Sequence, residues 1–206
     1  MPDAAPRASP APDRPSPDAA ASGADAAPLL LMDAPHLART LDRMARQLLE
    51  RLAPEEIGGA GVPIGLVGMQ RRGVPLAQRL AARLAAMEGL GVPVGTLDAS
   101  LYRDDVRTRL AEVLPTDLPF DVSGRHLVLV DDVLYTGRSA RAALDALLAY
   151  GRPASVALAV LVDRGLRELP IAADVVGLRV PTLPGERVRV RLAELDEAEG
   201  VWKVTT

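Results

Sequence analysis

Residues 127–139 read Leu127-Val128-Leu129-Val130-Asp131-Asp132-Val133-Leu134-Tyr135-Thr136-Gly137-Arg138-Ser139, four apolar residues running into two acids and then a small-residue turn. A continuous Val/Leu run of this kind is expected to be a parallel strand buried on both faces, ending where the acids begin. The helical pattern that follows, residues 139–150, is expected to close on Gly151 at its C-cap. Strand, tight turn and helix N-terminus together present open backbone N–H groups and the positive end of a helix dipole, a seat for phosphate. Carboxylates beside that seat would repel phosphate, so Asp131 and Asp132 require a different partner. Ribose hydroxyls, which donate hydrogen bonds to carboxylates, are the natural one. The string therefore predicts a ribose 5-phosphate site, with the acids on the hydroxyls and the turn on the phosphate. A bare Asp-Asp after a strand fits a plainer reading, two acids capping the next helix; Thr-Gly-x-Ser in register favours the sugar phosphate.

The surroundings supply more strands and helices. Asp33 is placed to cap a helix with Pro35 in its first turn and Leu37, Leu41, Met44, Leu48 and Leu52 at helical spacing. Gly58 and Gly61 predict a turn, residues 62–68 a buried strand, and residues 74–87 an amphipathic helix ended by Gly89. A further strand is expected from Val94 towards Leu101, and another over residues 156–162. Residues 102–119 show no periodicity, and loops of that length are usually lids or disordered. Alternating strands and helices argue for an α/β fold, a mostly parallel sheet flanked by helices. Such sheets bind ligands beyond the C-terminal ends of their strands. Four separated segments, residues 68–73, 102–105, 131–139 and 163–164, should therefore line one edge.

Composition bounds the chemistry. A chain of 206 residues that is 49% hydrophobic suits one domain with a proper core, and with 2% aromatics that core must be Ala, Val and Leu. The absence of cysteine excludes disulfides, thiolate nucleophiles and cysteine metal sites, and His36 and His126 are too few for an all-histidine centre in one chain. Neither histidine is expected in catalysis. A net charge of −3 creates no general attraction to nucleic acid, so any RNA contact needs a local basic patch. Residues 1–28 are rich in Ala and Pro and contain no Val, Ile, Leu, Phe, Trp or Tyr, which reads as a disordered tail ahead of a domain over residues 29–206. No secretory signal and no apolar span are expected, and the cytoplasm is the expected location.

The other three segments carry weaker signals. Gly68-Met69-Gln70-Arg71-Arg72-Gly73 sets two guanidiniums in a glycine-flanked turn before a helix, which suits a pyrophosphate, although two solvated arginines fit equally. Tyr102-Arg103-Asp104-Asp105 opens the long loop and either closes over a substrate or is a solvated charge cluster. Asp163-Arg164-Gly165 is placed to shape a base pocket.

The segments GMQRRGVPLAQRL, LYRDD, LVLVDDVLYTGRSARAALDAL, GRPASVALAVLVDRG and RELPI resemble one subgroup of type I phosphoribosyltransferases. That subgroup comprises the bifunctional pyrimidine operon regulatory proteins that are also uracil phosphoribosyltransferases. The resemblance runs from about Leu29 to the C-terminus. It implies the type I phosphoribosyltransferase fold and conversion of uracil and PRPP to UMP and pyrophosphate, with Mg²⁺ held mainly through PRPP and no dedicated protein cage. Catalysis would fall to Asp131, Asp132, Arg72 and Arg103. Binding of PRPP and nucleotide would fall to Arg71, Arg72, Tyr102, Asp104, Asp105, the run from Asp131 to Ser139, Arg164 and Val180. The resemblance also implies a homodimer or higher oligomer that binds pyr leader mRNA more tightly with UMP and causes attenuation.

Departures from the subgroup bear on that second role. Arg71 stands where Thr is common, Leu166 replaces a His, Ala172 an Arg and Leu178 a Lys, while Asp42 and Arg46 occupy positions that often carry Thr and His. Loss of basic residues and gain of an acid weaken an interface driven by phosphate contacts. Arg187, Arg189 and Arg191 alternate with Val188 and Val190, either an edge strand kept soluble by charge or a relocated RNA-contact stripe. A regulator with catalysis, a salvage enzyme without RNA binding, and a transferase for another base all remain open at this point.

Overall fold

The computed structural model describes residues 27–52, 63–89, 91–103 and 113–205. In chain order these form β1 (Leu29–Asp33), α1 (Ala34–Arg51), β2 (Ile64–Met69), α2 (Gly73–Glu88), β3 (Val94–Leu97), a 3₁₀ turn (Ser100–Tyr102) and β4 (His126–Leu134). There follow α3 (Arg138–Leu148), β5 (Ser155–Asp163), β6 (Val175–Arg179), β7 (Glu186–Arg191) and β8 (Gly200–Thr205). The predicted tail, apart from its last two residues, and the turn at Gly58 and Gly61 lie outside the described residues.

The apolar runs become a five-stranded parallel sheet in the order β3-β2-β4-β5-β6. Strand periodicity divides its side chains between two cores. Leu66, Val128, Val130, Ala159 and Leu161 face α1 and α2, against Leu41, Leu48, Leu76 and Leu80. Val67, Leu127, Leu129, Leu158 and Val160 face the opposite side, against Ala142, Ala143, Ala146 and Leu147 of α3. The helix boundaries have local causes. Asp33 caps α1, its Oδ1 accepting from His36 N at 2.8 Å, with proline in the first turn. Gly89, at φ 68°, closes α2.

A second, antiparallel sheet, β1-β8-β7, joins the two ends of the described chain. It packs Met32, Val190 and Val201 onto the α1–α2 side. Neither β1, β6 nor β8 is expected from the sequence, whereas β7 alternates as expected and is an edge strand.

Three boundaries differ from the expectations. β4 does not stop at the acids: Asp131, Val133 and Leu134 remain paired to β5. β2 leaves β4 at the Gly68–Val130 pair, so the other edge of the acidic segment is open. α3 ends at Leu148 rather than at Gly151, because Ala149 N and Tyr150 N turn inward to the Ala146 and Leu147 carbonyls. Gly151 instead lies against Ser123. β3 ends at Leu97, short of Leu101, where the Asp98 carboxylate draws the chain round by accepting from Ser100 N, Ser100 Oγ and Leu114 N. Among the described residues no helix is long and apolar enough to cross a membrane.

Candidate active site

The open edge of β4 is where chemistry collects. Asp131 Oδ1 accepts from Asp132 N at 2.9 Å, and Asp132 Oδ1 accepts from Val133 N at 3.0 Å, so each carboxylate is pinned by the next amide. Burial, reinforced by the neighbouring Asp132 charge, pushes the Asp131 carboxyl well above the usual carboxylate range. Burial also raises Asp132, opposed by its hydrogen bond with Asp131 and by the Arg72 charge. The pair titrates as a unit.

Beyond the acids the chain turns through Tyr135, Thr136 and Gly137 into α3. Gly137 sits at φ 92°, the left-handed region that favours glycine, with Leu169 and Ile171 against it. No side chain of the cap residue closes this helix start, and the Arg138 amide reaches only Thr136 Oγ1 at 3.4 Å. The first turn of α3 is thus an amide-lined seat with the favourable end of the dipole facing out.

Two adjoining cavities, of about 340 and 230 Å³, meet at Arg103, Asp131, Val133 and Ser139. The larger follows the turn from Val133 to Ala140, and the smaller runs past Asp132 to Met69, Gln70 and Asp98. Their shared wall of carboxylate, amide turn and arginine is suited to a phosphorylated sugar. Arg103 Nη1 donates to Ser139 Oγ at 3.0 Å and its charge acts on Asp131. Arg103 thereby joins the start of the long loop to the phosphate seat.

The remaining predicted residues fall into place unevenly. Arg72 caps the start of α2, donates to Asp196 and places its charge on Asp132. Its Nε is buried and makes no hydrogen bond among the described residues, and Arg72 lines neither cavity. Arg71 follows a cis peptide bond from Gln70. Arg164 is buried, its Nε donating to Thr182 Oγ1 at 3.0 Å and its guanidinium lying 3.9 Å over the Tyr135 ring. Val180 N donates to Asp163 O at 2.9 Å, which holds it beside that arginine. Tyr102 lines neither cavity: its carbonyl accepts from Arg141 and its side chain is exposed. Asp104 and Asp105 lie outside the described residues.

Two residues not singled out from the sequence complete the turn. Arg167 donates to Tyr135 O at 2.5 Å, Gly165 O at 3.2 Å and Ile171 O at 3.0 Å, and pairs with Asp163 at 2.6 Å. Glu168 lines the larger cavity, pairs with Arg138 at 2.8 Å and gives its amide to Thr136 O at 3.0 Å. The RELPI segment that contains them packs behind the phosphate turn; its signal was the motif, without a spacing rule to explain it.

Residues 31–194 match the family model of the phosphoribosyl transferase domain. The Bifunctional protein PyrR of Roseiflexus sp. (strain RS-1) is 53% identical over 180 residues, covering 85% of this chain and 94% of that protein. The Bifunctional protein PyrR of Pelotomaculum thermopropionicum is 53% identical over 173 residues, covering 83% and 92%. This chain belongs to the PyrR family of phosphoribosyltransferases. The fold is also that of a hypoxanthine phosphoribosyltransferase of Trypanosoma cruzi, with a TM-score of 0.67 at 18% identity over 86% of this chain and 94% of that one.

Proposed function

We propose that the protein makes UMP and pyrophosphate from uracil and PRPP and, with UMP bound, binds the leader RNA of a pyrimidine biosynthesis operon to promote attenuation. The observation that carries the catalytic part is the Asp131–Asp132 pair on the wall of the smaller cavity, which shares Asp131 and Ser139 with the larger one along the amide-lined start of α3. That geometry takes a ribose and its 5-phosphate together. The pyrimidine base follows from the resemblance of the VLYTGR, DRG and RELPI segments to the pyrimidine subgroup.

In the reaction a uracil ring nitrogen bonds to the anomeric carbon as the bond from that carbon to the pyrophosphate oxygen breaks. The uracil N–H proton is lost and pyrophosphate departs with the bonding pair. Positive charge develops on the ribose ring, as in glycoside hydrolysis. Asp131 and Asp132 accept from the ribose hydroxyls and favour that charge. Each charge-assisted hydrogen bond is worth about 1.5–3 kcal/mol. The amides at the start of α3 hold the 5-phosphate, Arg72 and Arg71 receive the departing pyrophosphate, and Arg103 closes over both. Two adjacent carboxylates raised by burial fit a divalent cation carried in on a diphosphate. Mg²⁺ takes few protein ligands and keeps several waters, so PRPP and water would supply most of its coordination. Bound there, Mg²⁺ would neutralise the leaving group. The protein works as a homo-oligomer in the cytoplasm.

The test is product formation with uracil, orotate, hypoxanthine and xanthine as competing acceptors of the PRPP sugar. Uracil alone should react; sustained turnover of a purine would replace this reading with a transferase for another base.

A further inference from the structure

The outward face of the small sheet carries charge that the catalytic site does not use. Arg187 and Arg189 on β7 are exposed, and among the described residues no carboxylate pairs with either. Their register places Arg187 opposite Val204, Arg189 opposite Trp202 and Arg191 opposite Gly200. The one tryptophan of the protein thus sits among the three arginines, with the Arg191 guanidinium 5.5 Å over its ring. Gly200 makes room for it: a Cβ there would come within 2.9 Å of the indole. Arg189, Arg191, Trp202, Val204 and Pro28 enclose a groove of about 150 Å³, and exposed Leu30 lies across from Trp202 on β1. On the opposite face the charge is neutralised, since Lys203 pairs with Glu186 at 2.7 Å.

We infer that this face of β7 and β8 is an RNA-contact surface, where a single-stranded RNA segment lays successive phosphates on Arg187, Arg189 and Arg191 and stacks a base on Trp202. Alternate residues of a strand stand about 7 Å apart, comparable with successive phosphates of an extended nucleic-acid chain. An aromatic ring beside a cationic track is the usual platform for single strands. A second copy of the chain is a poorer occupant, because a two-fold contact through this patch would set like guanidiniums against each other. The inference rests on the proposed regulatory role and supplies the contact surface that role needs.

The test uses the full chain with saturating UMP and a labelled transcript of its own pyrimidine operon leader, against a scrambled transcript of the same composition. Binding is followed by anisotropy and by the emission of Trp202 across a salt series. Replacing Arg187 and Arg189 together by Gln should weaken leader binding about tenfold near physiological salt and lower the slope of log K against log salt by about 1.4, two single-strand phosphate contacts. Replacing both by Lys should preserve the slope, and UMP formation should be unchanged in both variants. Emission of Trp202 should fall as RNA saturates the wild type. If the wild type prefers its leader while the Gln variant keeps the same affinity and slope, or if Trp202 emission does not respond, the inference is overturned and the regulatory role stands. A change in oligomer size in the Gln variant with unchanged RNA affinity would make the face an interface between copies, against the inference. If the wild type shows no preference for its leader, the regulatory role itself fails. Should the double Gln variant not fold, the single Arg187→Gln change at an exposed side chain gives the same reading at half the slope change.

Discussion

Arg72 and Asp196, 124 residues apart in sequence, meet where the start of α2 faces the connection between β7 and β8: Nη2 donates to Oδ1 at 2.8 Å and to Oδ2 at 3.1 Å. Asp196 Oδ2 also accepts from Leu192 N at 2.9 Å, so the arginine is held by a carboxylate that is itself fixed. One helical face further along, Arg79 pairs with Glu194 at 2.7 Å and with Glu199 at 2.5 Å. The small sheet is thereby tied to the helix whose N-cap is Arg72.

Asp196→Asn should leave Arg72 less well oriented. The expected result is a KM for PRPP raised about fivefold, the equivalent of one net hydrogen bond, with a smaller change in kcat and an unchanged KM for uracil. Steady-state kinetics with each substrate varied in turn makes the separation. Burial opposes ionisation of Asp196, but the Leu192 amide and Arg72 together hold its carboxyl below the ordinary value. Its contribution to stability is therefore present above about pH 4 and lost as pH falls through the lowered folded value.

Asp131 has the opposite sign. Its carboxyl is raised in the folded protein, so the folded state holds a proton that the unfolded state gives up, and stability falls as pH rises between the two values. Asp131→Asn should raise the melting temperature of the unliganded protein at neutral pH, with the gain closing as pH falls towards about 4. The same change should cost about 10²–10³-fold in kcat. Thermal melts across pH, paired with UMP formation, check both.

Gly73 is needed for close approach. A Cβ at this position would stand 2.2 Å from Val130 O, immediately before Asp131. Gly73→Ala must push α2 off β4, at a cost of about 1–3 kcal/mol. A lowered urea midpoint with unchanged m, together with reduced activity, is the expected outcome.

Arg167 holds the phosphate turn from behind without lining either cavity. Arg167→Met should weaken PRPP binding about tenfold and leave the Tyr135, Gly165 and Ile171 carbonyls without this donor. Isothermal titration with PRPP and Mg²⁺ measures the loss.

The fold's centre was legible because its signals are local. Val128, Val130 and the two acids announce β4 on their own, and Asp33 and Gly89 mark helix ends through caps that need no distant partner. The small sheet was not legible for the opposite reason: Leu29 pairs with Lys203, and strands of five and six residues so far apart in the chain give no hint of each other. The site divides in the same way. Asp131, the turn and Arg103 line one cavity and Asp132 the one beside it, while Arg72, Tyr102 and Arg164 line neither. Asp196, Arg167 and Glu168 serve the site through contacts that no spacing encodes.

The central claim is that Asp131 and Asp132 hold a ribose while the start of α3 holds its 5-phosphate. A crystal structure with PRPP and Mg²⁺ tests it most directly. The account predicts both ribose hydroxyls within hydrogen-bond distance of those carboxylates and the 5-phosphate on the amides between Thr136 and Ser139; a sugar phosphate bound anywhere else would contradict it.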